Sequence, residues 1–191
     1  MKKTVLFAVM ALVTLTGFAQ PKFAHVNFTE LVQLMPEADK ARETMNASQK
    51  EASDPFQSMY AEYQTKMQQY QQKASTWTPA IKESKEKELA GIQQRLEEFN
   101  QTIQQELQQQ QQQLMAPIYQ KAQDAVNTIA KAGGYIYVMD QSTFLYFDPK
   151  QSVDITPEAR KALNIPAGRT LETLQAELQA AAEAEAAAQA K

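Results

Sequence analysis

The chain has 191 residues with no cysteine and one histidine, and 22 aspartates and glutamates outweigh 19 lysines and arginines to give a formal charge of −3. Without cysteine there are no disulfides and no lipoprotein-type leader, and a lone histidine argues against a metal cage or a histidine-dependent triad. The mildly acidic balance points away from nucleic acid as a partner.

Residues 1–19 read as an export signal. Lys2 and Lys3 form a basic start, residues 5–15 an apolar run too short for a comfortable membrane span, and Gly17 and Ala19 put small residues at positions −3 and −1. Cleavage is expected after Ala19; the alternative is an uncleaved N-terminal anchor. The leader's style points to a bacterium and the periplasm, and the mature chain is more acidic because two lysines leave with it.

Residues 22–28 read as a short strand with Ala24, Val26 and Phe28 on one face. Thr29 is then a helix cap with Glu30 in the acidic first turn. Apolar residues follow at helical spacing from Leu31, and Pro36 divides a short first helix from a long one. Asp54-Pro55 lies inside that long helix, where proline removes a backbone hydrogen bond. Before it the apolar seam reads Met45, Gln49, Ala52, Phe56; after it Tyr60, Tyr63, Met67, Tyr70, Ala74, Trp77. The extra step of four predicts a kink or a stutter at the proline.

Residues 75–79 are the turn-over, with Thr78 as cap and Pro79 at the first helical position. The returning helix carries Ile81, Leu89, Ile92, Leu96, Phe99, Ile103, Leu107, Leu114, Ile118, Ala122 and Ile129, contains a second proline, Pro117, and ends at Gly133-Gly134. Its glutamine-dominated run, residues 104–113, keeps Leu107 and Leu114 one heptad apart and so reads as solvated helix, not as a disordered tract. At ~1.5 Å per residue these arms reach about 60–75 Å. Residues 135–140 and 143–147 predict a β-hairpin turning at Gln141-Ser142, apolar on both faces. A short helix from Thr156 to about Leu163 and a last helix from Thr170 follow, the latter fraying beyond Gln179, where only alanine, glutamate and glutamine remain.

The fold class is therefore α+β and mostly α: a long antiparallel helical hairpin on a small β body. The expected parts are residues 20–30 (first strand and start of the first arm), 31–132 (the arms, tip near 75–79), 133–166 (β-hairpin and short helix) and 167–191 (tail). So small a sheet, with no covalent staples, cannot support arms longer than itself, and its two-faced strands imply covering on both sides. The body is expected to oligomerise.

The order of these parts resembles the Skp/OmpH family of periplasmic chaperones. The residues that carry the resemblance are Lys22-Phe-Ala-His-Val-Asn27, Gly134-Tyr-Ile-Tyr-Val-Met-Asp140 and Val153-Asp-Ile-Thr-Pro157, and it covers roughly residues 20–166. It implies a homotrimer with a β-barrel body, three tentacle-like arms around a cavity, and ATP-independent holding of unfolded outer-membrane proteins on their way across the periplasm. Familiar members are strongly basic and this chain is acidic, so a lipopolysaccharide site is not carried over. The tail after Pro166 lies outside the resemblance.

No catalytic constellation or cofactor motif appears, and no enzyme is expected. The paired acids Glu37/Asp39 and Glu97/Glu98 read as solvated faces, and His25 as a packed strand residue. Most of the Met/aromatic stripe (Phe56, Tyr60, Tyr63, Met67, Tyr70, Phe99) sits at seam spacing. Met59 and Trp77 fit the seam least and are the candidates for client contact, as adaptable methionine and amphipathic tryptophan suit promiscuous binding. Pro55 and Pro117 are candidate arm hinges. The alternative function is a coiled-coil spacer or tether of the cell envelope.

Overall fold

A computed structural model describes residues 21–189, so the expected leader and its cleavage site lie outside the described residues. The chain runs β1 (Lys22–Val26), α1 (Phe28–Leu34), α2 (Pro36–Lys73), α3 (Pro79–Gly133), β2 (Tyr135–Asp140), β3 (Ser152–Asp154), α4 (Thr156–Ala162) and α5 (Leu171–Gln189), with 3-10 turns at Ala74–Thr76 and Gln141–Thr143. It is mostly helical with one small sheet.

The strand β1 stops earlier than the apolar pattern predicts because Asn27, not Thr29, caps α1. The Asn27 side chain accepts from the Glu30 amide at 3.1 Å and donates to the Glu30 carboxylate at 3.1 Å, a reciprocal cap. Its own amide donates to Thr156 Oγ1 at 3.0 Å, which ties the end of β1 to the start of α4. Met35 then takes an extended conformation, and Pro36 opens α2.

The two long helices have 38 and 55 residues, about 57 Å and 80 Å at ~1.5 Å per residue. Both remain helical through their internal prolines, Pro55 and Pro117. The turn-over forms as the sequence predicts: Thr78 Oγ1 accepts from the Ile81 amide at 3.5 Å, and Pro79 is the first helical residue. Cross-links between Glu37 and Lys121, Ser48 and Gln110, Lys66 and Glu88, and Tyr70 and Glu86 show that α2 and α3 run antiparallel. The longer α3 continues past the start of α2 to run beside the sheet. It ends at Gly134, whose φ of +66° is left-handed and whose amide donates to the Lys131 carbonyl at 3.3 Å. A Cβ on Gly133 would lie 2.2 Å from the Tyr135 ring, so the chain can enter β2 this tightly only with hydrogen there.

The sheet has the order β2-β1-β3, and both pairings are parallel. The β-hairpin expected over residues 135–147 is absent. Asp140 accepts from the Ser142 amide at 3.1 Å, winding the chain into a 3-10 turn in place of a hairpin turn. Residues 144–151 then pass over the sheet without pairing, and Phe147 packs its ring 4.4 Å from His25. The third strand is Ser152–Asp154, beside the far edge of β1. Parallel neighbours need a long crossover. Between β1 and β2 the whole helix pair is that crossover.

The core lies where one face of this sheet meets the base of the helix pair. Ala24 and Val26 share a buried cluster with Leu31, Leu34 and Met35, with Ile118, Ala122 and Val126 of α3, and with Ile155, Ala159 and Leu163. The segment after Pro166, which lies outside the resemblance, adds Leu174 to this cluster. Beyond Gln179, where fraying is expected, α5 remains helical to Gln189, with residues 175–187 exposed.

Candidate functional site

Among the described residues no cluster of histidine or acidic side chains could hold a metal, and no helix is long and apolar enough to cross a membrane. What the chain offers instead is surface, in three places.

The first is the face of the sheet turned away from the helices. Helices cover Ala24 and Val26, while Phe23, Tyr137 and Met139 remain 38%, 63% and 45% exposed. Phe23 and Tyr137 stack at 6.3 Å, and with Phe144 and Phe147 they wall an apolar cavity of about 290 Å³. Beside it, in the segment that failed to become a strand, Leu145 is fully exposed and Tyr146 nearly so. His25 is buried under this face, with Nδ1 2.8 Å from Ser152 Oγ.

The second is the tip. Trp77 is half-buried and meets Tyr70 edge-on, with ring centroids 5.8 Å apart. The Tyr70 hydroxyl donates to Glu86, a bond that raises the phenol's pKa. Hydrogen bonds from Lys66, then Lys85, hold the Glu88 carboxyl down to about 2. The tip is thus fastened by polar pairs around one aromatic contact. Met59 lies toward the seam and Tyr60 away from it, the reverse of the sequence expectation: Met59 is half-buried and Tyr60 48% exposed. Met45, Ala52, Met59 and Lys66, spaced by seven, are all partly covered, so the inward stripe passes Pro55 without the expected change of phase. Aromatic size made Phe56 and Tyr60 look like the stripe; the heptad spacing of the smaller residues is the signal that locates it.

The third is the middle of the helix pair. No residue between positions 42 and 88, or between 93 and 117, is fully buried. The α2 side offers Ser48 and Ala52 where α3 presents Phe99, Ile103 and Leu107, and a cavity of about 550 Å³ opens between them. Its only side-chain hydrogen bond between the two helices joins Gln110 Nε2 to Ser48 Oγ at 3.0 Å, and the glutamines Gln109 and Gln113 line the rim. Pro55 lies in this lining; Pro117 lines a smaller cavity nearer the base, beside Lys121 and Glu37. The hydrogen bond from Lys121 lowers the pKa of Glu37.

The C-terminal segment grips the base of this pair. Arg160 donates to Glu30 at 2.6 Å and to the Pro166 carbonyl at 3.1 Å. Arg169 bridges Asp39 of α2, at 2.7 Å, to Glu177 of α5, and both carboxylates, Glu177 first, raise its pKa.

Comparison with known proteins places this architecture. The family model described as "Outer membrane protein (OmpH-like)" matches residues 22–163. The chain is 29% identical over 152 residues to the chaperone protein Skp of Yersinia enterocolitica, covering 80% of this chain and 92% of that protein. It is 31% identical over 143 residues to Skp of Yersinia pseudotuberculosis, covering 75% and 86%. In three dimensions it superimposes on an OmpH-like outer membrane chaperone of Caulobacter crescentus with a TM-score of 0.64 and 14% identity, covering 80% of this chain and 92% of that one. Arg160 lies within the residues that the family model matches, whereas Arg169 and Glu177 lie after them.

Proposed function

The chain belongs to the OmpH-like outer membrane protein family, and on that premise we propose that it is an ATP-independent, non-enzymatic holdase of the periplasm. It binds unfolded outer-membrane proteins and keeps them soluble on their way to the outer membrane. The observation that carries this reading is the pairing of a long, loosely filled helix pair with a body whose sheet keeps Phe23, Tyr137 and Met139 exposed on one face. Large exposed apolar patches mark interaction sites, and here the exposed face sits on the body, away from the arm tip. Copies of the body close on one another as a trimeric barrel, and the helix pairs become three tentacles around a cavity. Residues 1–19 supply the export signal, 31–132 the arms, and 20–30 with 133–166 the clasp.

Within the arms, Met59 and Trp77 make client contacts, and Pro55 and Pro117 act as joints that widen or narrow the cavity. Weak contacts repeated over three arms retain a client without one strong site. Lipopolysaccharide is not assigned as a partner, because the chain is acidic. The test is dilution of a urea-unfolded outer-membrane β-barrel into buffer with stoichiometric mature protein. Suppressed aggregation is expected; unchanged aggregation would leave the envelope-spacer reading. A mass measurement in solution checks the trimer separately, and a stable monomer would remove it.

A further inference from the structure

The glutamine run and the gap in the helix pair occupy the same place, and the holding reading by itself assigns no ligand contact to either. We propose that the groove between α2 and α3 at mid-arm is a binding site for extended, unfolded polypeptide, recognised through its main chain; the inference rests on the holdase reading and locates one of its contacts. The groove has an apolar floor of Phe99, Ile103 and Leu107 and a volume of about 550 Å³. Small residues open it: Ser48 and Ala52 stand where larger side chains would fill the seam.

The rim decides the occupant. Gln109 and Gln113 offer carboxamides, each both donor and acceptor, which match the alternating N–H and C=O groups of an extended chain whatever its sequence. The charged side chains on the rim are the carboxylates Glu51 and Glu106. They complement lysine or arginine and repel aspartate or glutamate. From Phe99 to Gln113 the groove runs about 21 Å along α3, a length that about six residues of extended chain span. The ligand is therefore a short stretch alternating small apolar residues with neutral or basic ones.

The test uses the full mature protein and two fluorescently labelled peptides, one alternating valine with threonine and lysine, the other with aspartate in place of lysine. Titration by anisotropy is expected to show roughly fivefold to tenfold tighter binding of the lysine peptide. Two variants remove the site: Ser48→Leu with Ala52→Leu fills the groove from the α2 side, and Gln109→Ala with Gln113→Ala strips the exposed rim while leaving good helix formers. Each is expected to weaken the lysine peptide by about tenfold at unchanged helicity and solution mass. Should the filled variant not fold, the rim variant decides alone. Equal binding of both peptides, or wild-type binding by a folded rim variant, overturns the groove. An unfolded β-barrel that the wild type fails to hold, while the peptide results stand, overturns the holdase reading instead.

Discussion

At the base of the helix pair, Ala38 and Ala41 of α2 share a buried cluster with Ile118 and Ala122 of α3. A few turns further out, Ser48 and Ala52 face Ile103 and Leu107 across an open cavity. Small residues occupy α2 in both places, so residue size alone does not explain the difference. At the base a third layer is present: α1, the sheet and the C-terminal segment press on the pair and exclude water. At mid-arm no third layer is present among the described residues, and two helices with small residues on one side cannot close a seam between them. The same pair of helices is thus a core element at one end and an open groove in the middle.

The comparison breaks first on truncation of the two seams. Leu34→Ala or Ile118→Ala should cost about 2–5 kcal/mol, since both side chains are buried and leave cavities. Ile103→Ala, at a half-covered position, should cost about 1 kcal/mol or less. Denaturant midpoints at one fixed protein concentration read both. A mid-arm cost equal to the basal one would mean the groove is packed after all. Next comes the third layer itself. Ending the chain after Pro166 removes the burial of Leu174 and the Arg169 bridge between Asp39 and Glu177. A loss of roughly 2–3 kcal/mol is expected, together with faster hydrogen exchange in the first turns of α2. Exchange unchanged there would show that the C-terminal segment rides on the base without closing it. Smaller again is Gly134→Ala, which places a side chain at a φ of +66° and should cost about 1–2 kcal/mol by thermal unfolding.

The two regions were also unequally legible in the sequence. Helix boundaries at Thr78-Pro79 and Gly134 were readable because each depends on its own residues: a hydroxyl cap, a fixed φ, a missing Cβ. Strand pairing was not, because a strand's partner is set by the rest of the fold. Residues 143–147 have the aromatic content of a strand, but Phe144 and Phe147 are used to cover His25 and the sheet face. The true third strand, three residues long, carries almost no propensity signal and is held by the ladder to β1 and by the Ile155 amide donating to His25 at 3.0 Å. The C-terminal grip was invisible for a related reason: Arg169 and Asp39 are far apart in sequence, and only the folded base brings them to 2.7 Å. The groove did leave a trace, namely Ser48 and Ala52 opposite Phe99 and Leu107, the last of these inside the glutamine run, but size pointed to Phe56 and Tyr60 as the stripe instead.

The tip supplies the finest contrast with mid-arm, because charge fastens it where a neutral Ser48–Gln110 bond spans the groove. Glu88 accepts from Lys66 across the pair and from Lys85 on its own helix at 2.8 Å, and its pKa falls from 4.5 to about 2. The folded state therefore binds this proton less tightly than the unfolded chain. The contribution is present in full above the ordinary carboxyl value and disappears as pH falls from there toward about 2. Because the pair is exposed, the effect is confined to the tip and weakened by salt. Carboxyl NMR should place the Glu88 titration near 2, with amide protection relative to the unfolded chain falling around Lys66 and Tyr70 over that range while protection at Ser48 stays level. A Glu88 titration at 4.5 would mean that Lys66 and Lys85 do not fasten the tip, which would then rest on the Trp77–Tyr70 contact and the Tyr70–Glu86 hydrogen bond.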